Sequence, residues 1–164
     1  MTNFDNFREQ LMEIISKNPG LHFRELQRRT GSAVGKLDYH LYQMEREGRI
    51  YSRKEGSNIR YFSNESGTVS ERKIAYFMRI KEGKEILVGA LSDKNYALST
   101  KISEKQKRIL IEMVNEGIIR TTEDGNRLIV TLTDRASLIR FLKKYGQSFI
   151  DSIALSILNF IDEF

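Results

Sequence analysis

Basic and polar side chains with the chemistry to bind a polyanion are concentrated between residues 24 and 60. Arginine guanidinium groups match phosphate oxygens in a bidentate geometry. Lysine and glutamine side chains form hydrogen bonds with the base edges of duplex DNA. The spacing therefore predicts one surface that contacts both phosphates and bases. The predicted contacts are Arg24, Arg28, Arg29, Ser32, Ala33, Lys36, Tyr39, His40, Gln43, Arg53, Lys54, Asn58 and Arg60.

Residues 32–48, SAVGKLDYHLYQMEREG, are predicted to form the helix that presents this surface. Ser32 follows a Thr-Gly turn and is placed to cap the helix N-terminus. Gly48 is placed to end it in the left-handed conformation. The apolar residues recur at three- and four-residue spacing and predict a stripe that faces a core. They are Val34, Leu37, Leu41 and Met44.

The elements on either side complete a recognisable order. Residues 4–17 have the apolar spacing of an amphipathic helix, and residues 18–20 (Asn-Pro-Gly) stop it. Residues 23–30 predict a second, short helix with Phe23 and Leu26 facing inward. After the third helix, residues 50–63 alternate around a Glu-Gly-Ser-Asn turn, which is typical of a β-hairpin.

Three helices followed by a basic hairpin resemble a winged helix-turn-helix. NPGLHFRELQRRTGSAVGKLDYHL and the following EGRIYSRKEG…IRYF are similar to the winged helix of archaeal transcription regulators, over roughly residues 5–63. The resemblance implies binding to double-stranded DNA, with the helix of residues 32–48 in the major groove. It also implies that the wing, residues 50–63, meets the minor groove or the backbone. Lys36, Tyr39 and Gln43 are the candidates for reading bases.

The second half of the chain repeats this plan loosely. MEREGRI at 44–50 aligns with MVNEGII at 113–119, and each segment precedes a predicted hairpin. The second hairpin turns at an Asp-Gly pair. Ser103 and Gln106 form a capping-box pattern before the helix of this unit. Upstream, residues 72–91 are predicted to be helical with a break near Gly83, and residues 95–101 to form a short second helix.

The chain ends in a predicted helical segment, residues 134–164, with a break or kink at Gly146 and a cap at Thr133 or Asp134. Its last part has a well-formed apolar stripe that another surface must cover. Either it packs on the second unit or it pairs with its copy in a homodimer, as in MarR-type proteins; the dimer is preferred. The candidate dimerisation residues are Ile150, Ile153, Ile157, Leu158 and Ile161.

Charge and composition favour nucleic acid as the partner and exclude several other classes. The net charge is +5, and residues 21–61 hold nine Lys/Arg against five Asp/Glu, whereas residues 101–135 hold seven against six. The absence of cysteine excludes disulfides and thiolate sites. No apolar run is long enough to span a bilayer, and the N-terminus does not resemble a signal peptide, so a cytoplasmic location without membrane contact is expected.

An enzyme is not expected. GSAVGK at 31–36 has the wrong glycine spacing for a phosphate-binding loop, and Leu37 replaces the residue that would hold magnesium. The two histidines, His22 and His40, supply no nucleophile–base set and only weak support for a metal site. Neither a metal nor a cofactor is therefore predicted. His40 is open to two interpretations, a polar contact with DNA or a partly buried hydrogen bond to the preceding helix.

These patterns together predict a mainly α fold of the α+β class, a tandem winged helix-turn-helix whose second unit is degenerate, followed by C-terminal helices. The predicted domains are residues 1–63, a linker 64–70, residues 71–133 and a helical segment 134–164. The predicted function is sequence-specific regulation of transcription. The alternatives are a protein–protein adaptor, a general architectural DNA-binding protein, or a regulator with an unknown protein or small-molecule effector.

Overall fold

Residues 2–149 of the chain are described by the structure, a computed structural model. Within them, seven helices and two antiparallel three-stranded sheets confirm the α+β class. The chain divides into two units, Met1–Arg72 and Lys73–Phe164. The predicted dimerisation residues, Ile150 to Ile161, lie outside the described residues.

The first unit has the element order of a winged helix. The elements are α1 Asn3–Lys17, β1 Leu21–His22, α2 Phe23–Thr30, α3 Val34–Arg46, β2 Ile50–Glu55 and β3 Asn58–Ser63. Strand β3 lies between β1 and β2, so the hairpin of β2 and β3 is extended by the short strand that precedes the second helix. The predicted helices and hairpin of residues 4–63 are therefore all present.

The core of this unit forms where one stripe of each helix meets the inner face of the sheet. Leu37, Leu41 and Met44 of α3 are almost completely buried, as their spacing predicts. Val34 was predicted to belong to the same buried stripe, but it lies at the first turn of α3 and is 57% exposed. The residues of this core are Phe7, Leu11, Met12, Ile15, Leu21, Leu26, Leu37, Leu41, Met44, Ile50 and Tyr61.

The turn between α2 and α3 sets the direction in which α3 leaves the core. Gly31 has a left-handed φ of 66° and ends α2, a conformation that a side chain at this position would strain. The residue that precedes α3 is Ala33, in extended conformation and without a side-chain cap. The prediction that Ser32 caps α3 is therefore wrong; its hydroxyl donates instead to the Ala33 carbonyl, 3.1 Å away. Gly48, with a φ of 75°, has the predicted left-handed conformation.

The second unit repeats the sheet order and the sequence of helix and hairpin. The remaining elements are α4 Val69–Met78, α5 Lys81–Ser92, β4 Ala97–Ser99, α6 Glu104–Asn115, β5 Ile119–Asp124, β6 Arg127–Leu132 and α7 Arg135–Phe149. Strand β6 lies between β4 and β5, just as β3 lies between β1 and β2. Between β4 and α6 there is a short loop, whereas the first unit has α2 between its first strand and α3.

Two sequence predictions for this unit are wrong. Residues 97–99 form β4, not a helix, because they pair with β6 and tertiary pairing outweighs local propensity. The predicted helical break near Gly83 is confirmed and lies between α4 and α5; the glycine itself is inside α5, where a Cβ would meet the Phe77 carbonyl. Gly146 does not break α7, which continues through it to Phe149. Two caps are confirmed, the capping box of Ser103 and Gln106 and the bond from the Ser137 amide to Asp134.

No helix among residues 2–149 is long and apolar enough to cross a membrane.

Candidate nucleic-acid interface

The outward face of α3 is an exposed helical surface of the first unit. With 3.6 residues per turn, the face opposite Leu37 and Leu41 holds Gly35, Tyr39 and Tyr42 in one row. The two tyrosine side chains are 53% and 58% exposed. Because the apolar stripe of α3 is buried in the core, this row of residues on the opposite side is the part of the helix that a partner can reach.

Helix α2, which ends at Thr30 just before α3, contributes exposed cations. Arg24, Arg28 and Arg29 are all exposed, and none of them forms an ion pair with another residue in the described range 2–149. Unpaired guanidinium groups near a helix-turn-helix are available to phosphates without first breaking an existing contact. Lys36 of α3 is also exposed, and its Nζ lies 4.4 Å from the centroid of the Phe7 ring on α1. The Tyr39 ring lies on the same side, 5.3 Å from the His40 ring.

The hairpin is held at a defined position relative to α3. The Glu45 carboxylate on α3 accepts hydrogen bonds from the Ser52 amide at 3.2 Å and from the Ser52 hydroxyl at 2.7 Å. This contact joins the C-terminal half of α3 to β2. Lys54 and Asn58 are exposed on either side of the turn, and Arg53 is half-buried on β2. Lys54 and Asn58 are thus the predicted wing residues with the greatest access to a partner.

Arg60, a predicted DNA contact, lies inside the fold. Its side chain is 8% exposed. One guanidinium nitrogen donates to the Gly20 carbonyl at 2.8 Å and another to the Glu55 carboxylate at 3.1 Å, with Glu25 at 4.0 Å. The arginine links β3 to the chain before β1 and to β2. The sequence places Arg60 in the hairpin but does not show on which side of the sheet its side chain lies.

His40 is likewise buried, with 4% of the residue exposed. Its ring packs against the rings of Phe4 and Phe7, at centroid distances of 4.6 and 5.0 Å. Its Nδ1 accepts a hydrogen bond from Arg8 Nε at 3.2 Å, so the bond is made to α1 and not to α2. Arg8 also pairs with Glu47 at 3.0 Å. In this position His40 joins α3 to α1 and is not available to DNA.

The surroundings of His40 lower its pKa below the ordinary value of 6.5, first through burial and then through the positive charges of Arg8 and Lys36. A histidine with a lowered pKa binds its proton more readily in the unfolded chain. We therefore expect the free energy of unfolding to decrease as the pH falls below 6.5, and to be fully retained above it. His40→Gln keeps a hydrogen-bond acceptor and should flatten this dependence, measured by thermal unfolding of both proteins between about pH 5 and pH 8. Parallel pH profiles would contradict this assignment.

His22 has a structural role in the first unit. It is the N-cap of α2, and its Nδ1 accepts from the Glu25 amide at 3.4 Å. Its Nε2 lies 3.1 Å from the Glu25 carboxylate. No group of three or more potential metal ligands occurs among residues 2–149. The arrangement is that of a helix cap.

Six exposed residues of α3 are outside the predicted contact set. They are the acids Asp38 and Glu45, together with Val34, Gly35, Tyr42 and Arg46. A helical wheel centred on Leu37 and Leu41 identifies Tyr42 and Arg46 on the opposite side. Val34 has no such signal, because its spacing assigns it to the buried stripe.

The counterpart of α3 in the second unit presents a different surface. Lys105 of α6 is paired with Glu82 at 3.4 Å, and Ile111 and Val114 are 50% and 37% exposed. Val114 corresponds to Glu45 in the 44–50/113–119 alignment, so this position has no carboxylate to bind the hairpin. A groove runs here between α6 and the sheet, and its apolar lining is Ile102, Leu110, Ile111, Val114 and Leu128.

Comparisons with known proteins agree with this geometry. Residues 5–74 match the family model HTH_HVO_0163_N, described as an N-terminal HTH domain. The chain is also 25% identical over 144 residues to an uncharacterised HTH-type transcriptional regulator of Methanocaldococcus jannaschii. That match covers 83% of this chain and 35% of the relative, so the chain spans about a third of the relative's length. The first unit is therefore an HTH domain with a wing, and the chain resembles archaeal HTH-type transcriptional regulators.

Proposed function

We propose that the chain is a regulator of transcription that binds specific sequences of double-stranded DNA. Helix α3 lies in the major groove, and the hairpin of residues 50–63 lies against the minor groove or the backbone. The observation that supports this best is that three arginines of α2, the helix that precedes α3 across a short turn, are exposed and form no ion pair within residues 2–149. A neutral adaptor surface does not require such a cluster of cations.

Phosphates and bases are contacted by different residues in this proposal. Arg24, Arg28 and Arg29 bind phosphates and fix the register of the protein on the duplex. Lys54 and Asn58 do so from the hairpin. Ser32 and Ala33 allow close approach at the start of α3, and Lys36, Tyr39 and Gln43 are the candidates for reading bases. His40 and Arg60 are left out of the contact set because both are buried.

The second unit and the segment that follows it support assembly in this proposal. The repeated sheet order favours a second, degenerate winged helix. Its α6 exposes apolar side chains, which favours contact with protein over contact with phosphates. We propose that the chain forms a homodimer through residues 150–161. Because such a dimer has two-fold symmetry, its binding sites should be palindromic.

The experiment that tests the function is selection from a random pool of duplexes, followed by anisotropy titrations across a salt series. We expect a shared motif among the retained fragments, and an affinity that falls steeply with salt because each phosphate contact releases counterions. Salt-sensitive binding without enrichment would support the architectural alternative and contradict sequence-specific regulation. A lack of binding at low salt would overturn the DNA-binding proposal altogether.

One observation favours a second candidate function for the second unit alone. The groove beside α6 combines the apolar side chains named above with polar and charged ones, among them Glu104 and Lys107, and a partner's amphipathic helix has this mixture of side chains. An adaptor role of this unit is compatible with DNA binding by the first. Retention of the selected motif by a variant with Ile111→Lys and Val114→Lys would show that the two surfaces act separately.

A further inference from the structure

Within residues 2–149, the outer part of the first hairpin has two strands and no third. Strand β1 pairs with β3 at Tyr61 and Arg60, whereas β2 and β3 continue together as far as the turn at residues 56–57. Residues 54–59 of the described chain are therefore a two-stranded ribbon, called the wing ribbon below. A two-stranded ribbon is only marginally stable by itself. Its direction depends on what holds it at its base.

Glu45 of α3 binds the hairpin at the base of the wing ribbon. Its carboxylate accepts hydrogen bonds from the amide and the hydroxyl of Ser52, at 3.2 and 2.7 Å. Ser52 pairs across the hairpin with Tyr61. Burial raises the pKa of Tyr61, and the negative charges of Glu45 and Asp38 raise it further. Hydrogen bonds to an ionised acceptor are stronger than those between neutral groups, so this contact fixes the base of the ribbon against α3.

Lys54 lies on the face of the hairpin to which Glu45 is bound. Side chains two residues apart on a strand point to the same face, and β2 pairs with β3 without interruption over residues 50–55. Ser52 and Lys54 therefore share a face, and Lys54 is exposed on it. A rotation of the wing ribbon about its base would move the Lys54 ammonium group relative to α3.

The second hairpin is a natural comparison, because it has the same length and register. Strands β5 and β6 begin 69 residues after β2 and β3, and every pair of opposed residues is shifted by the same number. Strand β4 pairs with β6 as far as Arg127, beside the turn. The second hairpin is thus three-stranded over its outer part, and no contact with α6 is needed to fix its direction.

The side chains between helix and hairpin differ accordingly. Under the same shift, Val114 stands at the position of Glu45 and Thr121 at that of Ser52. Both line the groove between α6 and its hairpin. The carboxylate therefore occurs in the unit whose ribbon is two-stranded, and valine replaces it in the unit whose hairpin is three-stranded to its end.

We propose that Glu45 is a positioning residue that couples the wing to α3, so that Lys54 reaches the phosphate backbone of the duplex that α3 enters. This inference rests on the proposed function, in which helix and hairpin contact the same DNA. Because Glu45 carries a negative charge, its direct electrostatic effect on DNA binding is unfavourable. Removing this acid together with its hydrogen bonds should nevertheless weaken binding, which is the opposite of what charge alone predicts.

The test compares two substitutions that remove the same charge. Glu45→Gln keeps a side-chain oxygen that can accept from Ser52, whereas Glu45→Val keeps none. The full chain is titrated by anisotropy against the selected duplex across a salt series. We expect Glu45→Gln to bind up to about threefold more tightly than the unmodified protein, and Glu45→Val about fivefold more weakly. The slope of log affinity against log salt should decrease by about 0.9 in Glu45→Val and stay unchanged in Glu45→Gln.

A double substitution shows whether Glu45 acts through Lys54. Lys54→Met should lower the affinity of the unmodified protein and of Glu45→Gln about fivefold. In the Glu45→Val protein the same substitution should change affinity by less than about twofold, because the lysine no longer reaches its phosphate. A general loss of stability would not remove the effect of Lys54→Met. Ser52→Ala keeps the amide donor and loses the hydroxyl, so it should weaken binding about twofold.

Stability is measured for each variant by thermal unfolding. We expect Glu45→Val to lower the melting temperature by about 2–4 °C, since the lost hydrogen bonds are exposed. If this variant is unfolded at the assay temperature, Ser52→Ala takes its place in the comparison with Lys54→Met. Binding by Glu45→Val as tight as that of Glu45→Gln, or a full effect of Lys54→Met in the Glu45→Val protein, would overturn the positioning role and leave the proposed function intact. A protein that selects no duplex would refute both proposals.

Discussion

Replacing Arg24, Arg28 and Arg29 together by alanine is expected to lower the affinity for duplex DNA about a hundredfold at low salt. Each arginine is exposed and makes no ion pair within residues 2–149, so its removal disturbs no internal ion pair. A hydrogen bond to a charged group contributes about 1.5–3 kcal/mol to binding, and the contribution is smaller at exposed groups such as these arginines. The slope of log affinity against log salt should also decrease by about 0.9 for each phosphate that the variant no longer binds. Selected and random duplexes should be affected alike, since phosphate contacts carry no sequence information.

The matched control removes the same charge from the second unit. Lys81, Lys94 and Arg140 are exposed there and lie outside α6 and its hairpin. Their replacement by alanine should reduce affinity far less, through the general potential of the protein alone. Equal reductions in affinity for the two triple variants would mean that net charge, and not the position of the α2 arginines, determines binding. Anisotropy titrations at several salt concentrations distinguish these results.

Arg60→Met is expected to reduce the free energy of unfolding by about 2–3 kcal/mol and to leave the salt dependence of DNA binding unchanged. The substitution leaves the Gly20 carbonyl without its donor and the Glu55 carboxylate without its ion pair. Breaking a fully buried pair is more costly, but Glu55 retains 22% side-chain exposure and can be partly hydrated. Urea denaturation monitored by circular dichroism measures the decrease in stability.

Lys54→Met is the matched variant for this prediction. Lys54 is exposed on β2, one strand away from Arg60, and its replacement removes the same charge. We expect it to leave stability nearly unchanged and to reduce the salt slope by about 0.9 if it contacts one phosphate. Arg60→Met should thus change the stability and not the salt slope, whereas Lys54→Met should change the salt slope and not the stability. An Arg60→Met protein of full stability with a reduced slope would return Arg60 to the DNA-contact set.

Residues whose roles depend on neighbours in sequence were predictable. The bounds of α2 follow from a short apolar pattern that ends at Gly31, a glycine that adopts the left-handed conformation. The capping box of Ser103 and Gln106 involves two residues three apart, and it forms as predicted. The turn of the first hairpin lies between Glu55 and Asn58, where the alternating pattern is interrupted. Each of these features depends on local dihedral preferences and nearby hydrogen bonds.

Roles that depend on distant partners could not be assigned from the sequence alone. For His40 the sequence left a DNA contact and a partly buried hydrogen bond both open, and the structure shows a hydrogen bond from Arg8, with Phe4 and Phe7 of α1 against the ring. Val34 has the spacing of a core residue, but no element covers the first turn of α3 enough to bury it. The spacing of residues in the sequence gives the direction in which a side chain leaves its own helix. Whether that side chain is buried also depends on which other element packs against that side of the helix.

The amino-acid sequence by itself determined that the first unit has three helices and a basic hairpin, because hydrophobic period, glycine position and turn composition are local properties. The tertiary structure alone decided which basic residues face solvent and which serve the fold. Arg28 and Arg60 are indistinguishable by type, yet one is exposed and the other binds a carbonyl and a carboxylate inside the unit. The physical reason is that a charge enters the interior only where partners from other elements converge on it, and that convergence exists only in the folded chain.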